Sequence, residues 1–190
     1  MSAVRAEWRS RAHLARILRE CLREGASIEI DGLGTFIPDA GRGFRFISRR
    51  QPKIFIAYAQ EDAVSADRLF RDLADAGFDP WLDRHKLLPG QNWPRSIELA
   101  IQNSDFIVAC FSRRSVTKKG GFQAEIRYAL DCMRHLPLDW IFFIPVRLDE
   151  CGVPESIRRE LQYIDLFPDW NHGLRKTLSA IRTQLRQAAA

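Results

Sequence analysis

Glu125 stands four residues beyond the loop Lys118-Lys119-Gly120-Gly121, within the run Phe122-Gln123-Ala124-Glu125-Ile126-Arg127-Tyr128-Ala129-Leu130. That run reads as the first turns of a helix following a buried strand. A carboxylate there, at the carboxyl edge of a parallel sheet, faces the crevice in which open α/β folds bind ligands. If Glu125 lines a pocket, the chemistry it suits is cleavage of a nucleotide. If it faces water, paired with Arg127 or Lys119, the chain is a binding or signalling module.

Three further positions could touch a ligand. Tyr58 and the residues to 62 end the first strand of the sheet, where a switch point brings a loop to the substrate. Asp83 closes the second strand; it either meets a ribose or caps the following loop through an Asx-type turn. Lys118 to Gly121 precede a helix N-terminus, whose backbone N–H groups attract anions such as a pyrophosphate; a solvated loop is the alternative. There is no G-x-G-x-x-G or P-loop pattern, so a Rossmann cofactor is not indicated. Cys21, Cys110, Cys132 and Cys151 form no C-x-x-C pair, and His13, His85, His135 and His172 are scattered among them. Reduced, buried thiols and no metal site are expected.

The elements that must hold these residues come from periodicity. Strands are expected at 54–58, 78–83, 105–111, 140–148 and 163–166. Helices are expected at 63–76, 93–102, 122–134 and 174–185, with a helical turn at 154–160. Ile54-Phe55-Ile56-Ala57-Tyr58 is nearly unbroken apolar sequence, as the centre of a parallel sheet requires. Phe122, Ile126, Ala129, Leu130 and Met133 form the buried stripe of one helix. Strands alternating with helices imply an α/β fold with a doubly wound, five-stranded parallel sheet.

A smaller unit precedes it. Leu14, Ile17, Leu18, Cys21 and Leu22 make an amphipathic helix over 12–24, with Val4 and Trp8 extending it upstream and Gly25 ending it. Strands follow at 27–30, 33–37 and 43–47, with turns at Asp31-Gly32 and Pro38-Asp39-Ala40-Gly41. One helix and a β-meander make a thin core, so this unit needs support from the second domain or from another copy of itself. The domains are thus 1–52 and 53–187. Residues 1–53 hold 11 Lys+Arg against 6 Asp+Glu, and the rest of the chain holds 18 of each. The basic excess lies wholly in the first quarter of the chain, where it suits either a polyanion partner or a solubilising surface. No apolar run has the length of a membrane helix and no apolar signal core opens the chain, so a cytoplasmic location is expected.

Ile54 to Tyr58, then Gly77-Phe78-Asp79-Pro80-Trp81-Leu82-Asp83, then Leu87-Leu88-Pro89-Gly90-Gln91-Asn92-Trp93 resemble the first signature stretches of the Toll/interleukin-1 receptor (TIR) domain. Ser104-Asp105-Phe106 leading to Phe111-Ser112, and Phe142-Phe143-Ile144-Pro145-Val146, resemble later ones. The resemblance runs from about Lys53 to Leu185 and is closest to the bacterial branch. It implies a flavodoxin-like five-stranded fold and one of two functions: a signalling scaffold, or an enzyme that cleaves NAD⁺ at the nicotinamide–ribose bond, giving ADP-ribose or a cyclised product. In that family the catalytic glutamate falls at Glu125, NAD⁺ is substrate rather than cofactor, and the role is anti-phage defence by cell suicide or signal production. Tyr58, Trp81, Asp83, Ser112, Lys119 and Phe122 are then the expected substrate contacts. Many such enzymes carry a tryptophan four residues before the glutamate; here that position is Gly121, so stacking must come from elsewhere, with Phe122, Trp81, Tyr58 or a neighbouring chain as candidates. Arg84, His85, Lys86, Leu87, Leu88, Pro89 and Gly90 correspond to the segment by which TIR domains dock on one another, which implies activity that requires self-association.

Residues 25–36, with Ile28-Glu29-Ile30-Asp31-Gly32-Leu33-Gly34-Thr35-Phe36, resemble the helix-and-hairpin core of HU/IHF-type DNA-binding proteins. That family has a long DNA-wrapping arm at the next turn, tipped by a proline. Here only residues 38–43 lie between the strands. Dimerisation through residues 1–52 fits the truncated unit better than DNA bending, and DNA remains a rival partner.

Overall fold

A computed structural model of the chain describes residues 4–5, 16, 20, 24–30, 34–39, 43–48 and 51–188. The chain divides into two compact units, Met1–Gln51 and Pro52–Ala190.

In the first unit β1 (Val4–Arg5), β2 (Ile28–Ile30), β3 (Gly34–Asp39) and β4 (Gly43–Ser48) form a sheet in the order β1-β2-β3-β4. β1 runs parallel to β2, and β2-β3-β4 is the expected antiparallel meander. Val4 was expected to extend a helix; it is a strand residue instead, paired with Ile28. A two-residue parallel pairing is set by a distant partner, so local periodicity carries no trace of it. Pro38 and Asp39 continue β3, opposite Phe44 and Gly43, so the turn begins later than expected. The Asp31-Gly32 and Ala40-Gly41 turns, Trp8 and most of the helix expected over 12–24 lie outside the described residues; Arg16, Glu20 and Glu24 within that helix are helical.

The second unit opens with β5 (Lys53–Ala57), a 3₁₀ turn (Gln60–Asp62) and α1 (Ala63–Asp75), then β6 (Asp79–Trp81), α2 (Asp83–Lys86) and α3 (Trp93–Gln102). It continues with β7 (Phe106–Phe111), α4 (Gly121–Met133), β8 (Phe143–Arg147), α5 (Glu155–Arg158), β9 (Ile164–Asp165) and α6 (Trp170–Ala188). The sheet is five-stranded, in the order β6-β5-β7-β8-β9, and every pairing in it is parallel. Chain order is therefore 2-1-3-4-5, which puts the topological switch beside β5.

β7 is buried along its whole length, and alternate residues serve opposite cores. Phe106, Val108 and Cys110 pack with Leu69 and Leu73 of α1 and Ile181 of α6. Ile107, Ala109 and Phe111 pack with Ile97 and Ile101 of α3 and Phe122, Ile126 and Ala129 of α4. α6 comes close to the sheet edge at Gly173, where an added Cβ would stand 2.2 Å from the Asp165 carbonyl oxygen.

Of the boundaries that differ from expectation, two have visible reasons. Trp140 lies outside β8, and the next residue, Ile141, donates its N–H to Gln184 Oε1 at 2.8 Å rather than to a strand. The segment expected as an irregular loop from Arg84 begins with a helical turn. Asp83 Oδ1 accepts the Arg84 N–H at 2.7 Å, and the turn runs from an acidic start to basic Arg84, His85 and Lys86, in accord with the helix dipole.

Candidate active site

The carboxyl ends of β5 and β6 and the start of α4 enclose a cleft of about 630 Å³. Its walls include Tyr58 and Gln60 after β5, Asp83 and Arg84 of α2, Trp93 of α3, and Lys118, Lys119, Gly121, Phe122 and Glu125. It opens beside the switch in strand order, where this class of sheet leaves a crevice.

Glu125 reaches the cleft because the residues on either side of it are fixed. Phe122 is 7% exposed and meets Phe111 edge to face at 5.7 Å. Ile126 is buried in the same core. Gly120, at φ +135°, turns the chain into α4 in a conformation that suits glycine. Glu125 is left half-buried on the flank of the helix. Burial, and next the negative charge of Asp83, push its pKa up to about 7. A carboxyl poised there exchanges a proton near neutrality.

The facing wall is hydrogen-bonded. The Tyr58 hydroxyl donates to Asp83 Oδ1 at 2.7 Å. Burial, followed by that bond, holds the phenol well above its usual range, so it stays a donor. Asp67 of α1 fastens the α2 turn, taking Arg84 at 2.9 Å on one oxygen and His85 Nε2 at 2.8 Å on the other. His85 also stacks on Phe70 at 4.7 Å. Lys86 lies 3.6 Å from Asp79. Of the three cations on the cleft, Arg84 engages Asp67 and Lys118 engages Glu61, while Lys119 makes no ion pair among the described residues. In the loop after α2, the Leu88 N–H donates to Gln91 Oε1 at 3.0 Å and the Leu88 side chain is 66% exposed.

Of the residues expected to contact substrate, Tyr58, Asp83, Lys119, Phe122 and Glu125 come together here; Trp81 and Ser112 do not line the cleft. Trp81 stacks on Phe55 at 4.9 Å instead. Ser112 is buried, donating its hydroxyl to Asp62 Oδ2 at 2.7 Å and its N–H to Ser115 Oγ at 2.7 Å. Sequence reasoning missed Trp93. Its indole is 53% exposed on the cleft rim, at the start of a helix that Asn92 caps by accepting the Arg95 N–H at 3.2 Å. An Asn cap followed by Trp-Pro in the first helical turn was the available signal. No cluster of metal-ligating side chains occurs among the described residues. Nor is any helix among them long and apolar enough to cross a membrane.

A family model described as TIR domain matches residues 54–178. The chain belongs to the TIR domain family. Similar solved structures share the fold. The TIR domain of the Toll-related receptor TRR-2 from Hydra magnipapillata is 21% identical with a TM-score of 0.53, covering 66% of this chain and 97% of that one. A TIR-STING receptor from C. gigas, in complex with 2′,3′-cGAMP, is 20% identical with a TM-score of 0.56, covering 67% of this chain and 38% of that one. A 2-deoxyribosyltransferase from Bacillus psychrosaccharolyticus is 17% identical with a TM-score of 0.50, covering 66% of this chain and 95% of that one. No curated protein matches. The TIR match begins one residue inside β5, so the first unit lies outside it.

Proposed function

We propose that this TIR domain cleaves NAD⁺ between nicotinamide and ribose, with Glu125 as the catalytic residue. The observation that carries the reading is the placement of Glu125 on a cleft at the carboxyl edge of the sheet, opposite Asp83 and beside the Lys118-Lys119-Gly120-Gly121 loop. Nicotinamide leaves as a neutral ring that takes the electron pair of the C1′–N bond, so little acid catalysis is needed. The demand falls on the ribose, which becomes oxocarbenium-like; a carboxylate held beside it stabilises that charge. Water then supplies the C1′ hydroxyl and releases a proton, which ionised Glu125 is placed to accept; attack by an adenine nitrogen instead gives a cyclised product. Lys119 and the N–H groups at the start of α4 suit the pyrophosphate, and Tyr58 and Asp83 suit ribose hydroxyls. Phe122 supplies an apolar wall.

Docking through Arg84, His85, Lys86, Leu87, Leu88, Pro89 and Gly90 would bring a second copy onto the open rim of the cleft, so turnover per chain rises with protein concentration. Depletion of NAD⁺ is toxic, which suits a bacterial defence role by cell suicide. For the first unit, pairing of chains is the better reading than DNA wrapping, because only residues 40–42 separate β3 from β4.

The test is nicotinamide release from NAD⁺ by dilute and concentrated protein, beside Glu125→Gln. Release that rises with concentration and vanishes in the variant supports the reading. A wild type inert at every concentration leaves a signalling scaffold.

A further inference from the structure

The cleft is one of two that meet at Glu125. A second, of about 320 Å³, runs between α3 and α4 along Ile97, Ile101, Ala124 and Tyr128. Trp93, Gly121 and Glu125 line both. The two lobes differ in chemistry. The first carries Asp83, Arg84, Lys118 and Lys119. The second is hydrocarbon apart from the Tyr128 ring, Glu125 itself and Glu98, which pairs with Arg95 at 3.4 Å. No side chain divides them at Gly121, where an added Cβ would meet nothing within 4 Å. At the shared rim stands the exposed indole of Trp93.

A substrate that carries a pyrophosphate at one end and a flat heteroaromatic base at the other matches this division. Its scissile bond lies between the two, and the carboxylate that acts on that bond lies between the two lobes. We infer that the leaving base occupies the apolar lobe, stacked on Trp93 above Gly121, so that Trp93 and Ala124 determine which bases the site accepts; this rests on the NAD⁺ reading above. Hydrocarbon walls favour the ring after it has taken the electron pair and lost its charge over the cationic ring before. The lobe therefore pulls in the direction of cleavage, while the developing ribose cation stays at the boundary beside Glu125. The flat face of the indole offers the ring a stacking partner.

The test uses the full chain carrying Glu125→Gln, titrated with NAD⁺ and with ADP-ribose, which lacks the base. Ala124 lies exposed on α4, so Ala124→Phe fills the lobe from outside the core. Ala124→Phe and Trp93→Ala should each weaken NAD⁺ binding by about tenfold and leave ADP-ribose within about twofold, with Trp93→Phe restoring NAD⁺ binding. Equal losses for both ligands, or no loss for NAD⁺, would overturn the assignment. A wild type that releases nicotinamide while these variants bind NAD⁺ normally overturns this inference alone. A wild type that neither binds nor cleaves NAD⁺ overturns the parent reading and this one together.

Discussion

The Tyr58 hydroxyl and the Asp83 carboxylate, 2.7 Å apart, tie the segment after β5 to the start of α2 along one wall of the cleft. The same Asp83 oxygen accepts the Arg84 N–H. One acceptor thus fixes both a strand end and a helical turn, and its charge reaches Glu125 on the opposite wall.

Tyr58→Phe keeps the ring and removes the donor. Stability should fall by about 1.5–3 kcal/mol, the usual worth of a bond to a charged acceptor, read by urea denaturation. Asp83 then loses its partner after β5, and NAD⁺ turnover should fall more than overall stability does. Unchanged turnover with the expected loss of stability would confine Tyr58 to a structural role.

Glu125 gives a pH signature. Its pKa in the fold is raised to about 7, above the ordinary carboxyl value of 4.5. The protonated form is the one the fold tolerates, so its contribution is complete below pH 4.5 and is lost as pH climbs through 7. Wild type should therefore lose stability against Glu125→Gln across that window and run parallel to it above. The kcat/KM for NAD⁺ should do the reverse, rising through pH 7 as the carboxylate of the free enzyme forms. A flat profile between pH 5 and 8 would remove Glu125 as the ionised partner of the ribose.

Legibility followed the range of the forces involved. The burial of β7 and the stripe Phe122, Ile126 and Ala129 are written in local apolar spacing, and those elements lie where the pattern put them. Glu125 could be placed on the sheet's open edge for the same reason. The β1–β2 pairing could not be read, because it joins residues 24 apart in sequence. Trp81 and Ser112 sit near strand ends, as contacts would, but stacking on Phe55 and a hydrogen bond to Asp62 hold them away from the cleft. Trp93 ends the Leu87–Trp93 stretch, but its place on the cleft rim depends on exposure, a tertiary property that spacing does not carry.

Asp67→Ala releases Arg84 and His85 together. Both pairs are partly exposed, so the loss of stability should stay within about 1 kcal/mol. The effect on concentration-dependent turnover should be larger if the docking segment proposed above begins at Arg84. Sedimentation velocity beside the activity assay separates weakened association from lost chemistry.

Lys119→Ala should raise KM for NAD⁺ several-fold and leave kcat near wild type, because a cation that binds pyrophosphate equally in ground and transition states adds only uniform binding. An equal fall in kcat would place Lys119 on the reacting end of the substrate.

Gly173→Ala puts a methyl group into the Asp165 carbonyl and should cost about 1–3 kcal/mol by overpacking, measured by thermal or urea unfolding. Turnover of the protein that remains folded should be unchanged, as α6 lies away from the cleft.

The two sides of the cleft are secured by unlike means. Glu125 rides on a helix whose neighbouring residues are sunk in hydrocarbon, so it cannot shift without dislodging Phe122 and Ile126. The α2 side hangs on the Tyr58–Asp83 bond and on Asp67 and Asp79 with their half-exposed cations. One jaw is therefore set in hydrocarbon and the other is latched by charges at the surface, so salt or a single charge change should loosen the latch before it disturbs the fixed jaw.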